Sequence, residues 1–335
     1  MKKILKFLFL SIIISCGNNQ DSTADRKASY ATEGFWERIG TIQIVNGVSV
    51  DTIYWDDLEL ETRPRQVKAY VGDYFAWLSN DGVNEPLNED HPWKTGAGAF
   101  GTYTFNPESS DRDNMVESLT NNIGRSHLWG EDWKNLSKDQ PFPVRFAATV
   151  TEKNYTQLFV RNITNDSIFD LRETTVGTTP EYAEYYEKID ETPASKIDGV
   201  WKHIANVNYI NGVAVDTIGV PDGLDDHKIF HKGNVMVNFD FTKAKKGDPN
   251  WGGAGLSGKF TYKDNLLVET FNLSTGNWRA SGGVWPPTPY DIEWIDDDSF
   301  VQIWKFVARQ GENGELEFVE NESKETNGLL HVRVK

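Results

Sequence analysis

Residues 34–53 read GFWERIGTIQIVNGVSVDTI, and residues 199–218 read GVWKHIANVNYINGVAVDTI. The second stretch starts 165 residues after the first (199 − 34). Further matches follow in the same order. "VKAYVGDYFAW" from Val67 pairs with "HKIFHKGNVMV" from His227. Trp93, Gly98, Gly101 and Tyr103-Thr104-Phe105 pair with Trp251, Gly255, Gly258 and Phe260-Thr261-Tyr262. Val116-Glu117-Ser118 pairs with Val268-Glu269-Thr270, and Tyr155-x-Gln157-Leu158-Phe159 with Phe300-x-Gln302-Ile303-Trp304. Ordered self-similarity over so long a period marks a duplicated structural unit.

Every block reads as strand: short runs rich in Val, Ile, Thr and aromatics, several alternating with period two. Asn46-Gly47 and Asn211-Gly212 signal hairpins, because a type I′ turn needs positive φ at both central residues. The glycine pairs Gly98/Gly101 and Gly255/Gly258 suit a bulge or corner where a sheet curves. One segment, "TPEYAEYYEKIDE", reads as a helix capped by Thr179 with Pro180 in its first turn. These readings give two antiparallel barrels, residues 34–176 and 199–335, joined by a helix and linker over 177–198.

Residues 1–15 carry Lys2, Lys3 and Lys6 before a short apolar run, the pattern of a secretory signal. The run ends Ile13-Ile14-Ser15-Cys16-Gly17, which resembles the lipobox of bacterial lipoproteins and implies acylation of Cys16. It is the sole cysteine, so thiol catalysis and disulfides are excluded from the rest of the chain. Residues 16–33 read as a flexible tether. Removing the three lysines takes the formal charge from −16 to −19 (−16 − 3), which disfavours nucleic acid and gives no basic anchor for anionic lipid. The expectation is a monomeric outer-membrane lipoprotein, facing periplasm or cell surface, that meets the membrane only through its lipid.

At Gly-x-Trp the chain resembles the lipocalins, whose first strand carries that motif, and the lipocalin-like lipoproteins of Bacteroidota polysaccharide-utilisation systems. The resemblance covers nearly all of residues 34–335. It implies all-β architecture, two tandem lipocalin-like barrels, each a cup able to hold a small ligand. One such lipoprotein type, the ulvan oligosaccharide dehydratase, removes water across C4–C5 of a terminal uronic acid, and the overall pattern is similar to it.

Residues shared by the copies are most simply explained by the fold, Glu117 and Glu269 among them. Polar residues that differ at equivalent positions are candidates for function. Arg38 and His203 each follow the Gly-x-Trp tryptophan by two, hence share its face. An arginine forks onto carboxylates, whereas a histidine exchanges protons near neutral pH. The structural alternative is a basic cap on the barrel's closed end, as basic residues pack on that tryptophan in lipocalins. Asp225, His227 and His231 alternate onto one face, a solvated strand end or a proton-transfer site; their spacing matches no strong metal motif, and no metal or cofactor is expected.

Two glycine-rich loops, residues 121–133 and 274–287, both hold arginine, serine and tryptophan. Arg125 and Arg279 can grip an acidic group while Trp129, Trp278 or Trp285 stacks on a sugar ring, and His127 can act as a base. His331 reads as a surface residue of the final strand. The chain has no Gly-x-Ser-x-Gly elbow, phosphate loop, Cys-x-x-Cys or His-Glu-x-x-His. What remains is a lyase acting on acidic oligosaccharides, with His203, His231 or His127 as base and Arg38, Arg125 or Arg279 on the carboxylate. The alternatives are a non-catalytic glycan-binding lipoprotein and a carrier for a small apolar ligand.

Overall fold

The computed structural model describes residues 32–45, 48–58, 64–80, 96–109, 113–124, 136, 139–159, 181–241, 252–276, 285–304, 306–310, 316–320 and 323–335. The first sheet holds β1 (Gly34–Val45), β2 (Val48–Tyr54), β3 (Arg65–Val71), β4 (Tyr74–Asn80), β5 (Ala97–Phe105), β6 (Met115–Gly124), β7 (Phe142–Val150), β8 (Asn154–Phe159) and β9 (Glu181–Lys188). Pairing of β1 with both β3 and β9 closes an eight-stranded antiparallel barrel, and β2 continues the far half of β1 as an edge strand. The second sheet repeats this with β10 (Gly199–Ile210), β11 (Val213–Gly219), β12 (Leu224–His231), β13 (Asn234–Phe241), β14 (Ala254–Lys263), β15 (Leu266–Gly276), β16 (Trp285–Asp296), β17 (Ser299–Ile303) and β20 (Glu325–Arg333). A separate hairpin, β18 (Phe306–Gln310) and β19 (Leu316–Glu320), is inserted before the last strand.

The segment read as a helix is strand β9, and it belongs to the first barrel. It pairs with β1 from Trp36↔Lys188 to Ile44↔Glu181 and with β8 on its other side. Its tyrosines at 182 and 186 also satisfy period two, and closure of the barrel supplies the ladder bonds that helix propensity alone cannot outweigh. The chain between the barrels is therefore residues 189–198, which form no helix and turn at Lys196-Ile197, where the Asp198 N–H donates to the Ser195 carbonyl.

The turn and bulge signals hold where they are described. Asn211 and Gly212 have φ of 51° and 73°, both positive as a type I′ turn requires; Asn46 and Gly47 lie outside the described residues. Register shifts fall at Phe100/Gly101 and Ser257/Gly258. The other glycine of the second pair serves the junction, since a β-carbon on Gly255 would strike Leu78 and come within 2.8 Å of Ile123 Cδ1 in the first barrel.

The barrels pack outer face to outer face. Phe35, Val67, Ala69, Leu78, Phe100 and Ile123 form one buried cluster with Val200, Ile229, Met236 and Leu273. Separate aromatic cores fill each barrel, around Trp36, Tyr70, Phe146 and Tyr155 in the first and Trp201, Phe230, Phe260 and Phe300 in the second.

Candidate functional site

Each barrel is plugged at the end where Gly-x-Trp lies. Trp36 Nε1 donates to the carbonyl of Thr32 and Trp201 Nε1 to that of Ile197, both at 2.8 Å. A cation from the last strand lies over each indole: Lys188 Nζ 5.8 Å from Trp36, Arg333 Cζ 4.2 Å from Trp201. These residues fill the capping role that was the structural alternative for Arg38 and His203.

One layer further in, both barrels bury the same ionic set. Lys68 Nζ reaches Glu117 Oε1 and Gln157 Oε1 at 2.8 Å each. Lys228 Nζ reaches Glu269 at 3.0 and 3.3 Å and Gln302 Oε1 at 2.9 Å. Paired and hydrogen-bonded, such charges tolerate burial that would be prohibitive singly. Glu117 and Glu269, read as structural, sit at the heart of these sets. The lysines and glutamines escaped sequence reasoning, although "VKAY/HKIF" and the shared Gln157/Gln302 placed them at matching positions.

Around this shared set the barrels differ. In the first, Tyr70 donates to Glu117 Oε1 at 2.5 Å and lies 3.2 Å from the Tyr155 hydroxyl, which itself bonds Gln157. Burial first, and Glu117 second, push the Tyr70 and Tyr155 phenols far up, so both stay protonated. Arg38 holds Glu184 at 2.8 Å, Gln66 at 3.0 Å and Thr41 at 3.0 Å, and Tyr186 donates to Glu184 at 2.6 Å. Arg38 does point into the barrel, but its fork is already occupied.

In the second barrel Tyr70, Tyr155 and Tyr186 are replaced by Phe230, Phe300 and His331, while Gln66 and Arg38 become Asp226 and His203. His203 places Nδ1 3.1 Å from Asp226 Oδ2 and Nε2 3.0 Å from the carbonyl of Ala205. Both neighbours are acceptors when Asp226 is ionised, so the ring satisfies both only when it carries both protons. His331 faces it with ring centroids 5.6 Å apart. It is 1% exposed, and neither ring nitrogen has a hydrogen-bond partner among the described residues. Burial, reinforced by Lys228 and His203, holds the His331 imidazole well below its usual range, hence neutral. Tyr290, its phenol pushed up by burial and then by Glu269, packs edge-on against Trp304 nearby.

His331 is thus an interior group, contrary to its reading as a surface residue. The pairing His203↔His331 across β10 and β20 fixes its side, and this long-range register has no local signal. His203 shares the buried face of Trp201, as alternation implied, and closure of the barrel makes that face the interior.

Asp225, His227 and His231 do share a face, but it is the outer one, against the first barrel. His227 stacks on Phe100 at 3.9 Å, and Asp225 joins Lys202 at 2.8 Å and Asn121 at 2.9 Å. Burial would raise the Asp225 carboxyl, yet His227, Lys202 and Asn121 together hold it low. His231 lies 3.3 Å from Glu191 and 4.0 Å from Glu33, at the junction of linker and barrels. It is therefore remote from the interior chemistry for which it was a candidate. Among the described residues, no cluster of His, Cys, Asp and Glu has metal-site geometry. Trp285 opens β16 across from the core residue Phe271. Cys16, Arg125, His127, Trp129, Trp278 and Arg279 lie outside the described residues.

Compared with models of protein families and with curated proteins, the chain matches none.

Proposed function

We propose that the second barrel is an acid–base site that eliminates water from the terminal uronic acid of acidic, ulvan-type oligosaccharides, giving a 4,5-unsaturated sugar. The observation that supports this reading is His331: a neutral, buried imidazole with both nitrogens unpartnered among the described residues, facing a His203–Asp226 pair. Burying unpartnered polar atoms is costly, and a ligand's hydrogen or hydroxyl reaching that layer offsets the cost. In the proposed step His331 takes the C5 proton, the C–H electron pair becomes the C4=C5 bond, and the C4 hydroxyl leaves as water with the second proton of His203. Transfer of the proton from His331 back to His203, rings 5.6 Å apart, resets the site. Asp226, 3.1 Å from His203 Nδ1, orients the ring, a recognised role for a carboxylate beside a catalytic histidine. The protein does this as an outer-membrane lipoprotein anchored through Cys16.

A second reading, glycan binding without catalysis, is favoured by one observation. Lys68, Lys228 and Arg38, the interior cations among the described residues, are already matched by Glu117, Glu269 and Glu184. A carboxylate entering beside them meets no spare charge. The polar middle layer speaks against an apolar carrier. Incubation of the protein with ulvan-type oligosaccharides separates the readings. Rising ultraviolet absorbance from the conjugated alkene, with loss of one water by mass spectrometry, is the expected result. Binding in an affinity gel with no absorbance change overturns catalysis and leaves the binding module.

A further inference from the structure

Trp304 is placed by the alternation of β17. Phe300, Gln302 and Trp304 fall on one face, and the first two are interior: Phe300 against Trp201 and His331, Gln302 on Lys228. Trp304 therefore continues the interior column at the end away from the tryptophan plug. Its position is held on three sides. The backbone N–H donates to the carbonyl of Asn327 at 3.0 Å, and Thr326 Oγ1 donates to the Trp304 carbonyl at 2.5 Å. The indole meets Tyr290 edge-on, centroids 5.8 Å apart and planes at 64°. Trp304 is nevertheless 36% exposed. An indole held by its backbone bonds and against Tyr290, with part of its surface uncovered at the end of a polar interior, is built to stack rather than to fill a core. The first barrel has the smaller ring of Phe159 at this position.

We infer that Trp304 is a stacking subsite for a pyranose ring of the oligosaccharide, further along the chain than the reacting sugar. His331 lies level with Phe300 in the ladder, and Trp304 is four residues beyond, about 13 Å at the rise of a strand. That is further than one sugar ring spans. A single uronic acid at His331 leaves Trp304 uncovered, whereas a longer chain reaches both. The site therefore selects for oligosaccharide over monosaccharide, and this inference rests on the proposed reaction at the same site.

The test compares wild type, Trp304→Ala, Trp304→Phe and His331→Gln on free glucuronic acid and on ulvan-type oligosaccharides. Turnover is followed by absorbance and binding by calorimetry. Trp304→Ala is expected to raise KM for the oligosaccharide about ten-fold at nearly unchanged kcat, the signature of lost uniform binding. The phenylalanine variant should recover part of this, and weak handling of the monosaccharide should not change. His331→Gln lowers kcat instead. If Trp304→Ala leaves oligosaccharide KM and Kd unchanged while His331→Gln abolishes turnover, the subsite is wrong and the reaction stands. If wild type binds without turnover and Trp304→Ala weakens that binding, the subsite stands and the reaction falls. If wild type neither binds nor turns over these sugars, both are overturned.

Discussion

Lys228→Met should destabilise the protein more than Lys68→Met, although the two lysines are copies of one another. Each substitution strands a glutamate inside a barrel: Glu269 at 1% and Glu117 at 2% exposure. Removing one partner of a buried pair costs about 3–5 kcal/mol, mostly the penalty of the charge left behind. What remains around each carboxylate differs. Glu117 keeps the Tyr70 phenol at 2.5 Å, whereas Glu269 keeps, among the described residues, the Gln302 amide at 3.3 Å, because Phe230 stands where Tyr70 does. A hydrogen bond to a charged group is worth about 1.5–3 kcal/mol and a long neutral amide rather less. The expected gap is therefore about 1–2 kcal/mol, with Lys228→Met the worse. Urea unfolding at pH 7 with both variants measures it, and the doubles Lys228→Met/Glu269→Leu and Lys68→Met/Glu117→Leu close the cycles. Each double should recover most of its single-variant loss. Equal costs, a reversed order, or additive doubles would refute the reasoning about what satisfies these carboxylates.

Two further expectations concern pH and backbone geometry. His331 is neutral when folded and titrates near 6.5 when unfolded. The unfolded state therefore binds more protons below that pH. The contribution is whole above about pH 6.5 and is lost on acidification at about 1.4 kcal/mol per unit. His331→Tyr, which restores the first barrel's residue, should flatten urea-midpoint curves between pH 6.5 and 5; an unchanged slope would show that His331 is not buried and neutral. Gly258→Ala should cost about 3 kcal/mol, because the new β-carbon meets the carbonyl oxygen of Thr270 at a bulge; a loss under about 0.5 kcal/mol by thermal melt would show that the bulge relaxes freely.

The duplication was legible because it needs no knowledge of contacts, only two similar strings. Period two and Asn-Gly turns then gave strands, and Gly101 and Gly258 announced their bulges. The segment "EYAEYYEK" misled because its spacing suits a helix face and a strand face alike, and only the ladder with β1 decides between them. The side of Arg38, His203 and Asp225 followed from alternation, but alternation does not say whether a face looks inward or onto a neighbouring barrel. His227 and His231 therefore share a face at the junction rather than in a cup. His331 and Asp226 became significant only when closure set β20 and β12 on either side of β10. The comparison between copies remained the best guide. Lys68/Lys228, Glu117/Glu269 and Gln157/Gln302 are held in common, and the histidines replace Arg38 and Tyr186 in the second barrel alone.

The division of labour between the barrels is tested most directly by turnover of four single variants on one oligosaccharide: His203→Gln, His331→Gln, Arg38→Gln and Tyr186→Phe. Loss of a positioned acid or base typically costs 10²–10⁴-fold in rate. The two histidine variants should fall by about that much while still binding sugar, and the two first-barrel variants should turn over like wild type. Unimpaired turnover in both histidine variants, or losses confined to Arg38→Gln and Tyr186→Phe, would place the chemistry elsewhere.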